Sequence, residues 1–281
     1  MTPQDYDFIR KLLRERSGLV LSAEKQYLVE SRLLPVVRKA GLTSLAELVT
    51  ALKAVPSSAL ATTVVEAMTT NESFFFRDKL PFENFRDVLM PALLAARSDR
   101  HIRIWCSAAA TGQEPYSLAM VLREMGAKLA GWNIEIFATD ISTAALEKAK
   151  AGLYSQFEVQ RGLPIQMLVK YFSQIGDQWQ ISPDLRNMVS YRHFNLLQDF
   201  AGFGMFDVVF CRNVLIYFDQ ETKITVLNRL AKSVRDDGYL MLGAAETVIG
   251  LTAAFKPMAG HRGIYVPSPV TAKVLHLAAA S

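Results

Sequence analysis

Apolar positions in the first 70 residues recur at helical spacing, and turn and capping residues interrupt them at intervals. Pro3 to Arg16 reads as one helix closing at Ser17-Gly18. Ser22 opens a second running to Lys39 before Gly41, and Ser44 with Glu47 makes a capping-box pattern at the head of a third. Pro56-Ser57-Ser58 precedes a fourth that runs towards Met68. No convincing alternating strand occurs among them, so this stretch is a small helical domain.

From about residue 100 the texture changes to short β-rich runs alternating with helix patterns, the signature of a mostly parallel sheet with crossover helices. His101–Cys106, Ile134–Thr139, Met205–Cys211 and Tyr239–Gly243 are the strand candidates. Pro115–Met125, Ser142–Lys150 and Gln220–Arg235 are the intervening helices, the last stopping at Asp236-Asp237-Gly238. After a short helix around Pro164–Phe172, Gln178–Ile181 and Met188–Phe194 read as a small antiparallel excursion off the sheet. The chain thus divides into a helical domain (1–70), a joining segment (71–90) and a doubly wound, Rossmann-like α/β domain (91–270). The excursion occupies about 173–194, and a tail over 271–281 is expected to fray.

Composition narrows the setting without naming a substrate. The 281 residues are 51% hydrophobic and 21% charged, and no uninterrupted apolar run approaches the ~20 residues of a bilayer-spanning helix. Two cysteines, Cys106 and Cys211, are too few for a disulfide scaffold and lack the paired spacing of a zinc site. His101, His193, His261 and His276 are dispersed, so no metal is expected. These features point to the cytoplasm, and a net charge of +4 is too mild to demand a nucleic-acid partner.

Ile104 to Met120 (IWCSAAATGQEPYSLAM) is a buried strand, a small-residue turn and a helix, placed where ligands bind outside the carboxyl ends of an open sheet. The next strand ends at Asp140, positioned to accept two hydrogen bonds from a ribose diol. Only Gly112 occurs in the turn, so the dinucleotide fingerprint is absent and pyrophosphate is poorly served. Glu114 at the helix start suits a cationic ligand end instead. S-adenosylmethionine has both parts, an adenosine diol and an ammonium. Taken singly, Glu114 as a helix N-terminal acid and Asp140 as a cap are equally good structural readings; together on adjacent strand ends they favour the cofactor.

Phe206 to Phe218 is a buried strand running straight into Arg212 and Asn213, whose burial without partners would be costly, with Tyr217 four residues on. Thr69 to Asp78 (TTNESFFFRD) joins the domains and carries three consecutive aromatics, which implies a segment packed into an interface rather than a free linker. Arg77, held by that anchor, could orient a carboxylate bidentately.

These segments resemble the chemotaxis-receptor methyltransferases, the CheR-type protein-glutamate O-methyltransferases, in order from the N-terminal helices to about Tyr265. The matching stretches are TTNESFFFRD, SAAATGQEPYSLAM, ATDIS, FNLL, FDVVFCRNVLIYFD and DDGYLMLGAAE. The resemblance implies a class I methyltransferase sheet and transfer of methyl from S-adenosylmethionine to glutamates of chemoreceptor cytoplasmic domains, leaving S-adenosylhomocysteine. It implies that Asn71, Ser73 and Arg77 line the cofactor and reaction site, that Glu114 binds the methionine end and that Asp140 takes the ribose. Asn195 with Leu196 flanks the adenine, Arg212 with Asn213 completes the pocket, and Arg77 and Tyr217 lie nearest the transferred methyl. The chain departs from the pattern at Ala109, Gln113 and Ala244-Ala245, where cysteine, glutamate and His-Ser are usual. The stretch Phe172–Asn195 is short and holds only Gly176, so recognition independent of a receptor C-terminal pentapeptide is expected.

Lys25, Arg32 and Lys39 are spaced by seven, and a helix drifts only ~20° per heptad, so all three fall near one face. A solvated face is the plainer reading; contact with an acidic-faced receptor coiled coil is the functional one. The expected partners are chemoreceptor helical bundles, with no nucleic acid, no membrane insertion and a monomeric enzyme. A methyltransferase of nucleic acids or small molecules, a cofactor-sensing regulator and a nicotinamide dehydrogenase are weaker readings. The first lacks the Asn-Pro-Pro-aromatic signature, the second leaves Arg77 and Tyr217 unexplained, and the third lacks the glycine fingerprint.

Overall fold

The computed structural model describes residues 1–269, so the tail over 271–281 lies outside the described residues. Helices α1 (Pro3–Ser17), α2 (Gln26–Lys39), α3 (Leu45–Ala54) and α4 (Ala59–Met68) pack around Ile9, Leu13, Val29, Leu33, Leu48 and Val64. Local chemistry sets their ends. Thr2 and Asp5 close a full capping box on α1, and Gly18 ends it in the left-handed conformation at φ 75°. At α3, Ser44 accepts the Glu47 N–H, but the Glu47 carboxylate turns to Thr43 instead, completing the cap one residue upstream. Ser22 precedes a short 3₁₀ turn, Ala23–Lys25, before α2 begins.

Beyond Met68 the chain runs without regular structure to α5 (Leu80–Asn84), a π-helical turn (Phe85–Leu89) and α6 (Met90–Ala96). These helices were not legible in the expected joining segment, and they bury Phe82, Phe85, Leu89, Met90 and Leu93 against the sheet. Strand β1 (His101–Cys106) then leads through α7 (Gln113–Met125) to β2 (Asn133–Asp140) and α8 (Thr143–Ala151). Next come β3 (Leu153–Ser155), α9 (Gln156–Gln160), α10 (Ile165–Tyr171), β4 (Phe172–Ile175), β5 (Gln178–Ile181), α11 (Pro183–Arg186) and β6 (Val189–His193). The chain closes with β7 (Phe206–Cys211), α12 (Gln220–Ala231), β8 (Val234–Leu242), β9 (Phe255–Pro257) and β10 (Ile264–Pro267).

Seven strands form one sheet in the order β6-β2-β1-β7-β8-β10-β9, parallel from β6 to β8, with β10 antiparallel to both of its neighbours, β8 and β9. The order reverses at β1 and β7, which opens a crevice above their carboxyl ends. Strand alternation divides the core: Ile104, Cys106, Val208 and Phe210 face the α7 side, while Trp105, Val209 and Cys211 face the α12 side.

Two sequence expectations need correction. Val189–His193 does not belong to the antiparallel excursion; it pairs in parallel with β2, from Ile136–Val189 to Asp140–His193. The small sheet is β3-β5-β4, and its third strand comes from Leu153–Ser155. The short α11 makes the return to the main sheet. The second concerns the last long helix, which stops at Ala231, so that Val234 to Gly238 begin β8. An irregular register between Phe206 and Val208 accommodates the extra residues there. The charges that read as a helix terminus are drawn onto the sheet by Arg97, whose guanidinium reaches buried Asp207 at 2.6 Å and Asp237 at 2.6 and 2.8 Å.

The Phe-Phe-Phe run is an anchor. Phe75 is fully buried, edge-on to Tyr154 at 5.0 Å and Phe172 at 5.6 Å, while Phe76 meets Phe82 at 5.3 Å. Burial of this kind contributes roughly 1.5–3 kcal/mol per ring. Gly162 presses on the same segment from the α9–α10 loop: at φ +85°, a Cβ there would lie 2.1 Å from the Phe75 carbonyl oxygen. Gly162→Ala is therefore expected to destabilise by about 2–4 kcal/mol, combining backbone strain with overpacking. Gly176→Ala, at φ +61° with nothing within 4 Å, should cost about 1 kcal/mol or less. Urea denaturation of both variants measures this, and equal losses would remove the packing argument.

Candidate active site

A cleft of about 940 Å³, counting its open mouth, lies above the carboxyl ends of β1, β2 and β7 and under the helical domain. Asn71, Ser73, Arg77, Glu114, Asp140, Asn195, Leu196, Arg212, Asn213 and Tyr217 all line it. Lys25, Arg32 and Lys39 do not; Lys25 and Lys39 are exposed at the two ends of α2, and Arg32 turns inward. The helical domain adds Ser17, Leu19, Thr69 and Thr70 to the wall, which the sequence reading had not placed there.

Asp140 ends β2 with a buried carboxylate. Its Oδ2 accepts the Ala110 N–H at 2.8 Å and its Oδ1 the Ser142 N–H at 2.9 Å. Burial raises its pKa above the ordinary value, and those backbone donors oppose the shift. Each oxygen keeps a further lone pair for a diol. The helix-capping role falls to Ser142, whose hydroxyl accepts the Ala145 N–H.

Glu114 lies in the first turn of α7, and its carboxylate meets Arg212 Nη1 at 2.8 Å. Burial raises its pKa, with the Arg212 charge pulling the other way. Arg212 is itself buried. Its Nη2 donates to Asp78 Oδ2 at 2.7 Å and to the Arg77 carbonyl at 3.0 Å, and its Nε–H has no partner among the described residues. An unmatched buried donor beside a buried carboxylate marks a place shaped for a polar ligand end.

Arg77 is half-buried, with Nη1 donating to the Glu72 carbonyl at 3.2 Å and its guanidinium 5.6 Å from the Phe74 ring. Among the described residues it makes no ion pair. The backbone around it is strained: Phe76, Asp78 and Lys79 all have positive φ, at 52°, 69° and 50°. Ala110 and Asn213, both on the cleft wall, share that conformation at 47° and 59°, leaving Arg100 as the one such non-glycine residue distant from the site among the described residues. Strain of order 1–3 kcal/mol per residue persists where surrounding contacts impose it. Here they are the Phe76 N–H bonded to buried Ser117 Oγ at 3.0 Å and the grip of Arg212 on Arg77.

Asn195 is less free than its sequence position suggested. Its amide donates to the Arg16 carbonyl at 2.6 Å and its Oδ1 accepts the Leu197 N–H at 2.9 Å, so the side chain ties the domains together. Tyr217 closes a 3₁₀ turn and accepts the Val20 N–H on its carbonyl at 2.9 Å, another bond across the domains.

The sequence reading missed Glu246. Its carboxylate accepts four backbone N–H groups: Asn213 at 2.8 Å, Val214 at 2.9 Å, Leu215 at 2.7 Å and Gly243 at 2.7 Å. It is the template on which the Asn213–Tyr217 loop is folded. The available signal was a lone acid four residues past the end of a buried strand.

The strand order, the glycine-poor turn after β1 and the acid ending β2 define a Rossmann-like class I methyltransferase domain. Residues 71–264 match the CheR methyltransferase SAM-binding domain and residues 4–69 the CheR methyltransferase all-alpha domain. A chemotaxis protein methyltransferase of Vibrio parahaemolyticus is 40% identical over 267 residues, covering 94% of this chain and 96% of the relative. Chemotaxis protein methyltransferase 1 of Pseudomonas aeruginosa is 42% identical over 253 residues, covering 88% and 91%. The corresponding Escherichia coli protein is 34% identical over 253 residues, covering 88% and 85%. The chain belongs to the CheR methyltransferase family and is an S-adenosylmethionine-dependent methyltransferase.

Glu246→Gln would set an amide donor against backbone donors. We expect it to lower S-adenosylhomocysteine affinity about tenfold and stability by about 1–3 kcal/mol. Calorimetric titration and urea denaturation check this, and wild-type affinity in the folded variant would free the loop from Glu246.

Proposed function

We propose that the protein methylates glutamate side chains on the cytoplasmic helical bundles of chemoreceptors, forming glutamyl methyl esters. The observation that carries this reading is Arg77: a half-buried guanidinium on the cleft wall, free of acidic partners among the described residues and lining the same hollow as Tyr217. A cation so placed suits an anionic substrate group, and family membership supplies the receptor context.

The cleft fits S-adenosylmethionine. Glu114 with the Arg212–Asn213 pair would hold its methionine end, the Asp140 carboxylate its ribose hydroxyls, and Leu196 with the Asn195 backbone its adenine. Asn71 and Ser73 complete the wall. When bound, the cofactor offers a methyl group on a positively charged sulfur. A glutamate carboxylate, with an ordinary pKa near 4.3, is already anionic at neutral pH, so no general base is required. Alignment and exclusion of water can account for roughly 7–11 kcal/mol of barrier. Arg77 steers the carboxylate while remaining over the Phe74 ring, and the Tyr217 hydroxyl helps place the methyl group or the carboxylate.

On the substrate side, exposed Lys25 and Lys39 of the α2 face would meet acidic receptor helices. The β4–β5 turn is only Gly176-Asp177, which supports recognition without a receptor C-terminal pentapeptide. No helix among the described residues is long and apolar enough to cross a membrane. We place the enzyme in the cytoplasm as a monomer acting on membrane-bound receptors.

Transfer of radiolabelled methyl to chemoreceptor-containing membranes, followed by mild alkali, tests the chemistry. Base-labile label on receptor glutamates is expected, and alkali-stable label would exclude an ester. Arg77→Ala should lower turnover by a factor of about 10² or more with near-normal S-adenosylhomocysteine affinity, and Tyr217→Phe by a smaller factor. Full turnover in both variants would remove these assignments.

The ligand's ammonium favours ionised Glu114, whose folded pKa is raised by burial. Affinity for S-adenosylhomocysteine should therefore be full well above the ordinary glutamate value and fall as pH drops through a window lying above it. Glu114→Gln should flatten that segment of the titration; an unchanged slope would assign the proton elsewhere.

A further inference from the structure

Arg32 is spaced with Lys25 and Lys39 as though all three formed one basic face, yet its side chain serves a different end. Its Nη1 donates to the Met68 carbonyl at 2.7 Å and the Thr69 carbonyl at 3.0 Å, and its Nη2 reaches Thr70 Oγ1 at 3.2 Å. Met68 is the last residue of α4, so the guanidinium neutralises an orphan carbonyl at the negative end of that helix. Thr69 and Thr70 then form the wall of the cofactor cleft. Lys25 and Lys39 make no such contacts among the described residues.

The same segment is gripped from its far side. Arg161 pairs with Glu72 at 2.8 Å and stacks over Phe74 at 4.5 Å. The chain from Thr69 to Arg77 is thus fixed near its start by a residue of the helical domain and further along by the α9–α10 loop. Thr69 is also tied back to the Glu66 carbonyl by its N–H and hydroxyl, whereas Thr70 has Arg32 as its side-chain partner, so loss of the first clamp loosens the wall from Thr70 onward.

We infer that Arg32 is a positioning residue for the cofactor cleft and not a contact for the substrate. It acts through the backbone of Met68 and Thr69 and the hydroxyl of Thr70, setting the wall that Asn71 and Ser73 continue. The requirement is geometric, because two carbonyls and a hydroxyl lie within reach of one planar fork. An ammonium carries the same charge but offers a single donor head on a flexible stem.

This inference rests on the methyl-transfer reading, and its test separates the two. Arg32→Lys preserves charge, so a substrate-docking role predicts near-normal activity. A positioning role instead predicts a five- to tenfold rise in the S-adenosylhomocysteine Kd, read by calorimetry, with lower kcat. The KM for receptor membranes and its dependence on salt should stay at wild-type values. Lys39→Glu should show the converse, a raised receptor KM with unchanged Kd. Melting temperatures exclude lost folding, and if the lysine variant does not fold, Arg32→Gln, which retains two amide donors, carries the same comparison. A folded Arg32 variant with wild-type Kd overturns the inference, as does one whose defect is confined to receptor KM. Failure of the wild-type enzyme to label any receptor would instead sink the receptor reading and leave the Kd comparison valid.

Discussion

A guanidinium can be buried only if acceptors surround it, and Arg212 meets that demand by drawing three pieces of chain together. It stands just beyond the end of β7, takes Glu114 from the first turn of α7, and binds Asp78 and the Arg77 carbonyl from the segment after Phe76. Removing one member of such a set leaves an uncompensated buried charge, at a cost of roughly 3–5 kcal/mol. The strained backbone at Phe76, Asp78 and Lys79 persists because this bond set and the buried Phe75 and Phe76 rings hold both of its sides. The consequence is functional rather than stabilising: a flexible connection becomes a rigid wall, with Arg77 fixed at one point along it.

The same logic explains why the helical domain is part of the site. Among the described residues three hydrogen bonds cross from it to the α/β domain near the cleft: Val20 to Tyr217, Asn195 to Arg16, and Arg14 to Asp219. Ile141, one residue past Asp140, packs against the helical core. The acid that ends β2 is thereby next in the chain to a residue seated against the helical domain. A cofactor in this cleft would touch both domains, so their docking and its binding reinforce each other.

Much of this was legible because burial and capping leave local marks. His101–Cys106 alternates between two cores, Gly112 and Pro115 bracket a helix start, and the Asp140–Ser142 pair marks a strand end meeting a helix. Expectations failed where a long-range contact overrode the local pattern. Asp236-Asp237-Gly238 reads as a helix terminus until Arg97, far away in sequence, draws Asp237 onto the sheet edge. Val189–His193 carries no mark that separates a neighbour of β2 from a neighbour of β5. Arg32 stands out by its seven-residue spacing and Asn195 by the family resemblance, and only the fold shows which way their side chains turn. Glu246 escaped notice because its four partners are backbone N–H groups, which every sequence has.

One electrostatic difficulty has to be met by any site that uses an anionic nucleophile. The cleft and its floor hold Glu114, Asp140, Asp78 and Glu246, besides Glu72, which Arg161 pairs at 2.8 Å, and a single unneutralised acid at about 6 Å would oppose an incoming carboxylate by roughly 3 kcal/mol at an effective dielectric of about 20. Ion pairing and hydrogen bonding lessen that opposition at each acid. Arg212 takes Glu114 and Asp78, four backbone N–H groups take Glu246, and two take Asp140. Among the described residues Arg77 is the cation on the cleft wall that makes no ion pair, and its charge opposes the repulsion of the carboxylates around it. A site can thus keep the acids that a cationic cofactor requires and still present a cation to a carboxylate, provided each acid is held by an ion pair or by hydrogen bonds of its own.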